Sequence, residues 1–527
     1  MKRRQFLQRT LTAAGVAGGL DVLLRPAGAR AQSVTHRRFV SIQLPGAPSR
    51  WMYDFFPGAY DTQGLDVANN LCIASNFSSQ GGRYTRPEYS TVSVKGLNAP
   101  PFWQQKVPAA GGGLRPVDGL LDHLVSLQGV NTSVDGHETC QRLHWQPITG
   151  LQSRLALAAD ASAVPLPAVS IQAVTLAFQS LQNKSVVPLA ELGPNPLTEL
   201  LRPFLANLPA TVAGGSAGLD AVLQRLDEEA VAWSGAAAET RASQRDALAL
   251  FRRNFGDLGA IYETRRAVYR DLIARSLSNN HVIPGVTDLP IGPSGTAGLI
   301  FSVDGEGSAP ELGDYREAFG AETAIEGLAE QFAVVEYLLK EDLSRSVAIG
   351  ARGLSGLQAI GEQDFDEHGM GSMISVLLNM KWYTAFSACL LEFFDQLKTA
   401  QIFRDTVVEV SGEFGRSARP DGSGSDHGWP GKMTSFYSGL IQGPLVLGNI
   451  YSTPPANSGF DEYPGTWGYG APVDGVQSVL GLSHELATLA TMLGVPSPTN
   501  AAPSLVAIEG GRIVAAPGVE RARIVRG

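Results

Sequence analysis

Short runs of β-favouring residues, separated by long stretches that favour helix, constrain the fold of this chain more than any other feature. The first run is rich in Val, Ile and Phe and stops at Pro45-Gly46. The six runs span residues 38–44, 122–130, 167–174, 346–350, 405–411 and 434–441. Short strands that alternate with helical stretches are typical of an α/β domain. We therefore predict one α/β domain over residues 32–527, with a mainly parallel sheet flanked by helices.

Two stretches between these runs predict a helical insertion. Residues 216–278 are rich in Ala, Leu, Arg and Glu and contain no proline, and residues 314–343 also favour helix. The glycine- and proline-rich segment 283–298 interrupts them. We expect an insertion of about residues 216–345, packed on the sheet domain. A further helix is predicted over residues 370–398, whose apolar side chains recur at helical spacing and belong to the core.

The segment from residue 407 to residue 431 combines a strand with several groups that bind metals or anions. After the valines come Glu413, Arg416 and the pair Asp426-His427, all on a glycine-rich backbone that favours an irregular loop. The carboxyl ends of strands in an open α/β sheet converge on one crevice, where ligands bind. We therefore expect these four side chains to face a shared pocket.

Two other segments place histidines beside acids at predicted strand-to-helix junctions. One contains Asp366 and His368, and the other contains Asp135, His137, Glu138 and His144. Carboxylate and imidazole ligands with few thiolates suit a divalent metal such as zinc, manganese or iron or, with more oxygen ligands, calcium or magnesium. For any one of these segments the alternative is a turn with a capping aspartate, and only convergence of several would make a metal site.

The amino terminus predicts export. Arg3-Arg4 precede a weakly apolar stretch, and small residues up to Ala31 form a cleavage pattern, so residues 1–31 resemble a secretory signal of the twin-arginine type. The alternative is a basic amino-terminal helix. We expect the twin-arginine machinery to export the folded protein to the periplasm or beyond, with no stable membrane anchor.

Charge and cysteine content exclude two classes of protein. Removing the six basic residues and one acid of the predicted signal leaves 35 basic and 49 acidic residues, a net charge of −14. Such a chain has no broad basic surface, so we expect no binding of nucleic acid. The anionic small molecule or ester that we expect as its ligand would be held locally, by Arg416. The three cysteines are widely spaced and provide neither a disulfide framework nor a paired-cysteine metal site.

Several segments together resemble a known family. "EVSGEFGRSARPDGSGSDHGWPGKMTSFYSGLIQG", preceded by "DFDEHG" and a long helix, is similar to the twin-arginine-exported bacterial family named domain of unknown function 1501. That family is a distant relative of the alkaline phosphatase and sulfatase superfamily. The resemblance implies an alkaline-phosphatase-like α/β fold and a metal-dependent hydrolase of phosphate or sulfate esters.

The resemblance also implies site residues. Asp366 and His368 occupy the positions of an Asp…His metal-binding pair, Glu413 the position of an acid at the end of its strand, and His427 that of the last histidine. The implied metal ligands are Asp366, His368, Glu413, Asp426 and His427. Thr139 lies near the nucleophile position, and Arg416 is expected to hold the oxyanion of the substrate.

This chain departs from the superfamily pattern at two positions. The first strand is followed by Ser49 where a metal-binding acid is expected, and Phe414 replaces a histidine. These departures favour one metal or none, and leave open a degenerate member that binds an anion or a partner protein. For Arg416 the alternative is an ion pair with Glu413. A separate "GGSAG" at residues 214–218 fits a hydrolase nucleophile elbow, but Ser216 is better explained as a helix cap.

Overall fold

In a computed structural model of the chain, the described residues are 37–56, 76–80, 83–88, 91–164, 166–197, 199–200, 258–278, 325–353, 365–368, 372–418, 425–461 and 465–525. The predicted signal (residues 1–31), the "GGSAG" segment and most of the predicted insertion lie outside these ranges. Within them, no helix has both the length and the apolar character needed to cross a membrane.

Eight strands form the central sheet. In chain order they are β1 (Arg38–Leu44), β2 (Leu124–Val130), β3 (Ala168–Ile171), β4 (Val186–Leu189), β5 (Ser346–Gly350), β6 (Thr406–Gly412), β7 (Lys432–Ser438) and β8 (Leu445–Leu447). Their order across the sheet is β4-β3-β5-β1-β6-β7-β2-β8. All neighbours pair in parallel except that β7 runs antiparallel to both β6 and β2. The prediction of an α/β domain with a mainly parallel sheet is therefore confirmed.

Six α-helices lie in the described ranges: α1 (His137–Trp145), α2 (Arg154–Asp160), α3 (Leu258–Ser278), α4 (Leu328–Lys340), α5 (Ser372–Thr399) and α6 (Leu482–Leu493). Helices α3, α4 and α5 share one apolar cluster with Val40 and Ile42 of β1. Helices α2 and α6 share a second cluster with Phe39 of the same strand. Because neighbouring residues of a strand point to opposite faces, helices cover both faces of the sheet.

Short strands outside the central sheet pair locally. The antiparallel pairs are Asn76–Gln80 with Arg83–Glu88, Val92–Val94 with Leu97–Ala99, Lys106–Pro108 with Leu114–Pro116, Gly415–Ala418 with Ser425–Gly428, and Val506–Glu509 with Arg512–Ala515. A small three-stranded sheet contains Asn449–Tyr451, Gly470–Ala471 and Ile524–Val525.

The predicted elements agree with the structure where the chain is described. All six predicted strands are present, and the helix predicted over residues 370–398 is α5. Strands β4 and β8 and helix α2 were not predicted, because they are too short to show a period. Helix α6 was also missed, although its leucines recur at helical spacing. Of the predicted insertion, α3 and α4 are described, and both pack against the same face of the sheet.

The strand directions position the site. Strands β1, β2, β5 and β6 run in the same direction, so their carboxyl ends lie at one edge of the sheet. The turn after β1, the start of α1 after β2, the connection from β5 to α5 and the hairpin after β6 all begin at this edge. The candidate site residues lie in these four connections.

Candidate metal centre

Three histidines from three separate connections meet above this edge. His137 is the first residue of α1, His368 lies between β5 and α5, and His427 lies in the hairpin after β6. The Nε2 atoms of His368 and His427 are 2.7 Å apart, and those of His427 and His137 are 3.1 Å apart. One ligand atom from each histidine lies within 4.8 Å of the others, so the group could hold a metal ion.

Each of these histidines has a carboxylate at its other ring nitrogen. His137 Nδ1 lies 2.7 Å from Glu413 Oε1, and His427 Nδ1 lies 2.5 Å from Asp135 Oδ1. A carboxylate at Nδ1 holds the proton there and leaves Nε2 as a bare lone pair. The third ring has the same arrangement at longer range, with Nδ1 of His368 3.4 Å from Asp426 Oδ1.

This arrangement fits a metal ion. Once each ring keeps its only proton at Nδ1, the Nε2 lone pairs that face one another at about 3 Å repel unless a proton or a metal ion lies between them. Ligating histidines in metalloproteins donate their second ring N–H to a carboxylate in the same way. A tetrahedral ion with Zn–N bonds of ~2.0–2.1 Å separates its ligand atoms by about 3.3 Å, close to the spacing found for His427 and His137.

Local backbone chemistry places His137. Gly136, immediately before α1, has a φ of 95°, a conformation that a side chain at Cβ would disfavour. Asp135 Oδ1 accepts a hydrogen bond from the Gly136 amide at 2.6 Å as well as contacting His427. One aspartate therefore fixes the start of α1 and joins it to the hairpin.

A two-stranded hairpin places His427, where the sequence predicted an irregular loop. Residues Gly415–Ala418 pair with Ser425–Gly428, and Arg416 lies opposite His427. The glycines permit close backbone approach, since a Cβ on Gly428 would lie 2.6 Å from the carbonyl carbon of Arg416. The glycine content was therefore misinterpreted as a sign of irregular backbone.

The segment Phe365–His368 alternates its side chains between the site and the turn after β1. Asp366 and His368 face the histidine cluster, and the Asp366 carboxylate accepts a hydrogen bond from the His368 amide at 3.3 Å. Glu367 points the other way and accepts hydrogen bonds from the Ser49 amide and hydroxyl. Ser49, which stands where the family resemblance led us to expect a metal-binding acid, therefore binds an acid from another connection.

Asp366 lies beside the three ring nitrogens. Its Oδ2 is 3.5 Å from Nε2 of His137, and its Oδ1 is 4.0 Å from Nε2 of His368. Burial raises the pKa of Asp366, but the hydrogen bond with His137 and the charge of Arg416 outweigh it and hold that pKa well below its usual range. An ionised carboxylate in this position can add an oxygen ligand to the three nitrogens.

Arg416 does not face an open pocket. Its guanidinium donates to the carbonyl oxygens of Gly46 and Ala47 and to Asp366 Oδ1, the last at 3.0 Å. Its side chain has 0% exposure. It does not match the alternative prediction either, because its acidic partner is Asp366 while Glu413 contacts His137. Arg416 therefore joins the turn after β1 to the segment that carries His368.

Glu413 lies behind a histidine, although we predicted it as a metal ligand. Its Oε1 contacts His137 Nδ1 and accepts a hydrogen bond from the Gly46 amide at 2.9 Å. Its Oε2 is buried and has no hydrogen-bond partner among the described residues. Asp426 takes a corresponding position beside His368. Both acids orient imidazoles in this structure and do not join the group of converging nitrogens.

Thr139 is poorly placed for the nucleophilic role that we predicted. The inward side of α1 carries His137, Cys140 and Gln141, and the last of these donates to Glu413 at 3.4 Å. Residues two apart on a helix do not share a face, and Thr139 is exposed on the other side. The buried Cys140 thiol donates toward the Val134 carbonyl, and burial raises its pKa to about 12, so it is not a substitute nucleophile.

His137 is the site residue that sequence reasoning missed. It stands among the acids and histidines noted after β2, but we predicted that the neighbouring Thr139 would act there. The available signal was its position as the first residue after Asp135-Gly136, at the carboxyl end of a strand parallel to β6. Phe414 contacts both His137 and His427, with ring centroids 5.0 and 4.3 Å apart.

The two best-paired histidines have opposite pKa shifts. Burial lowers the pKa of His137, but hydrogen bonds to Asp366 and Glu413 outweigh it and raise the pKa to about 9. Burial lowers the pKa of His427, and the charge of Arg416 lowers it further, while the hydrogen bond that His427 donates to Asp135 raises it. At neutral pH the metal-free protein therefore carries an additional proton on His137, while the lowered pKa of His427 favours its neutral form.

Comparisons with known proteins do not identify a family. No protein-family model matches the chain, and no curated protein matches it. Among solved structures, the chain is similar to the lipoteichoic acid synthase LtaP from Listeria monocytogenes, with 9% sequence identity, a TM-score of 0.29, and coverage of 93% of this chain and 79% of that chain. A TM-score this low supports no conclusion about fold or activity. The resemblance to the domain of unknown function 1501 therefore stays a prediction.

Proposed function

We propose that the protein is a metal-dependent hydrolase of phosphate or sulfate esters that binds one divalent ion through His137, His368 and His427. The observation that supports this proposal is the convergence of three imidazole nitrogens, each backed by a carboxylate at the opposite ring atom. Three nitrogen ligands with an adjacent carboxylate suit zinc best among the divalent ions, with manganese second.

The chain's own groups would prepare the site for an ester. When bound, a divalent ion supplies Lewis-acid chemistry that polarises an ester oxygen and lowers the pKa of a water molecule. Asp366, kept ionised by Arg416, lies close enough to join the ligand set. Asp135, Glu413 and Asp426 hold the imidazoles in the tautomer that directs Nε2 to the centre. Because Thr139 faces away, the proposal uses water and not a side chain as the nucleophile.

Metal analysis combined with an ester panel tests this function. We expect the purified protein to contain about one equivalent of zinc or manganese and to hydrolyse 4-nitrophenyl phosphate esters or sulfate. A chelator should abolish the activity and added metal should restore it. His427→Ala should lose both metal and activity. His123 lies just before β2, at the opposite edge of the sheet, so His123→Gln should retain both the metal and the activity. Protein without metal and without turnover would refute the proposal.

A second candidate is a binding protein without turnover. It is supported by the exposed, outward position of Thr139 and by the substitution of Phe414 for a histidine expected from the family resemblance. In that case the metal centre would bind an anionic ligand or a partner protein. Stoichiometric metal and saturable binding of an ester, with no hydrolysis in the same panel, would favour this candidate over the hydrolase.

Export is part of the proposed function. We infer from Arg3-Arg4 and the cleavage pattern ending at Ala31 that the twin-arginine machinery transports the folded protein to the periplasm. A chain that folds around a metal before transport suits that route. Replacing both arginines with lysine should retain the precursor in the cytoplasm, as cell fractionation would show. Unchanged accumulation in the periplasm would contradict the inference.

A further inference from the structure

We propose that the metal centre receives an ester with at most one negative charge on its reacting group, a phosphodiester or a sulfate ester, in preference to a doubly charged phosphate monoester. This inference rests on the proposed function and narrows its substrate class. It follows from where the positive and negative charges of the described site lie.

The cation contributed by Arg416 is sealed away from substrate. Enzymes that bind phosphate dianions commonly present an arginine fork to the phosphate oxygens. Here the guanidinium has no exposed surface, and the carbonyl oxygens of Gly46 and Ala47 and the carboxylate of Asp366 take up two of its nitrogens. The third nitrogen, Nη1, is buried from solvent as well. Arg416 therefore stabilises the site from behind and cannot form a fork with a substrate.

Carboxylates balance the remaining positive charge. The three imidazoles are neutral when their Nε2 atoms bind a metal, because each keeps one proton on Nδ1. Asp135, Asp366, Glu413 and Asp426 contribute four negative charges, against two positive charges from a divalent ion and one from Arg416. The described centre therefore has no excess positive charge to offset the second negative charge of a monoester dianion.

The solvent-facing side of the centre is acidic. Asp135, which contacts His427, has a side chain that is 63% exposed. Glu138 follows His137 directly and is also exposed. These exposed carboxylates repel an anionic ligand, and each added negative charge on the ligand increases the repulsion. A singly charged ester meets half the repulsion of a dianion and still offers an oxygen to the metal.

A matched pair of ligands tests the charge preference without relying on turnover. Phenylphosphonate and its monomethyl ester share a carbon–phosphorus bond, but at alkaline pH the first carries two negative charges and the second one. Titration calorimetry on the zinc-loaded full-length protein should show the monomethyl ester binding at least about tenfold more tightly. Added salt should reduce the difference, because screening weakens repulsion between exposed charges.

A charge-reversal variant tests the role of the acidic side. Glu138→Lys replaces an exposed acid that makes no described contact with the three histidines, and should improve phenylphosphonate binding about threefold relative to the monomethyl ester. Glu509→Lys is the matched control. Its hairpin contacts Arg404 and Leu440, which lie at the opposite edge of the sheet, so it should leave the ratio unchanged.

The outcomes separate this inference from the proposed function. The charge preference would be overturned if phenylphosphonate bound more tightly than its monomethyl ester, or if Glu138→Lys and Glu509→Lys changed the ratio of the two affinities equally. Either result would leave the proposal of a metal-dependent hydrolase intact. If neither ligand binds the zinc-loaded protein, the preference is refuted. If the ester panel also shows no turnover, the hydrolase proposal fails with it. Preferential hydrolysis of methyl 4-nitrophenyl phosphate or 4-nitrophenyl sulfate would support both.

Discussion

At the scale of single residues, a metal ligand and the acid that orients it should contribute differently to affinity. His427→Ala removes a converging nitrogen, so we expect zinc affinity to fall by more than about 100-fold. Asp135→Asn keeps an oxygen that can still accept from His427, so the loss should be nearer tenfold. Competition with a chromophoric chelator measures both, with His123→Gln as the control. Equal losses of zinc affinity in His427→Ala and Asp135→Asn would contradict the assigned roles.

The proton held at His137 should make metal affinity depend on pH. Because hydrogen bonds to Asp366 and Glu413 raise the pKa of this imidazole from 6.5 to about 9, zinc must displace a proton at neutral pH. Apparent affinity should therefore rise about tenfold per pH unit and level off near pH 9. In Glu413→Gln one of the raising interactions is lost, so the plateau should begin at lower pH. Affinity that is constant between neutral pH and pH 9 would refute this assignment.

At the scale of elements, the turn after β1 positions the segment that carries His368. Gly46 has a φ of 94°, and a Cβ there would lie 2.6 Å from the backbone nitrogen of Asp366. Gly46→Ala should therefore shift that backbone, lowering both the melting temperature and the zinc affinity. Gly443→Ala is the matched control, since Gly443 has a φ of 83° with open space around its Cβ position.

The comparison separates backbone strain from steric contact. Gly443→Ala should lower the free energy of unfolding by only the backbone conformational penalty of about 1–2 kcal/mol, and it should leave zinc affinity unchanged. Thermal unfolding followed by circular dichroism and the chelator competition provide the two measurements. Equal effects of the two substitutions on zinc affinity would show that the contact between Gly46 and Asp366 is unimportant.

At the scale of the whole molecule, a buried charge network joins the sheet to the helices on one face. Glu485 of α6 pairs with Arg154 of α2 and Lys432 of β7, and Arg154 also pairs with Glu409 of β6. All four side chains have 0% exposure. Burial alone raises the pKa of Glu485, but the two cations and their hydrogen bonds lower it from 4.5 to about 2.

This shift predicts how stability depends on pH. A carboxyl whose folded pKa is depressed contributes stability above its unfolded value of 4.5 and loses it as pH falls toward 2. Glu485→Gln leaves the buried cations Arg154 and Lys432 with one carboxylate, Glu409, and should cost about 3–5 kcal/mol at neutral pH. Its denaturant midpoint should then fall less than that of the parent between pH 5 and pH 2. Glu263→Gln on the exposed side of α3 is the control. If the denaturant midpoints of Glu485→Gln and the parent protein fell by the same amount between pH 5 and pH 2, the role of Glu485 would be refuted.

Local sequence patterns were sufficient to predict the fold class and six of the eight strands of the central sheet. The apolar runs at β1, β5 and β6 and the long apolar helix α5 are each recognisable within one window of residues, because burial on a sheet or helix imposes a short period. The acid–histidine segments are also recognisable within one window of residues. Because the carboxyl ends of parallel strands lie at one edge of the sheet, the segments that follow those strands must meet there. Convergence of His368 and His427 was therefore predictable.

The sequence alone established six strands of the central sheet, the long helix and the edge at which polar side chains gather, because these follow from local periodicity and strand direction. Only the tertiary structure decided that His137 completes the cluster, that Glu413 lies behind it, and that Arg416 is sealed under the turn after β1. The physical reason is that such contacts join residues hundreds of positions apart. Strand order and register create them, and no local pattern records which nitrogen of a histidine faces a carboxylate and which faces the centre.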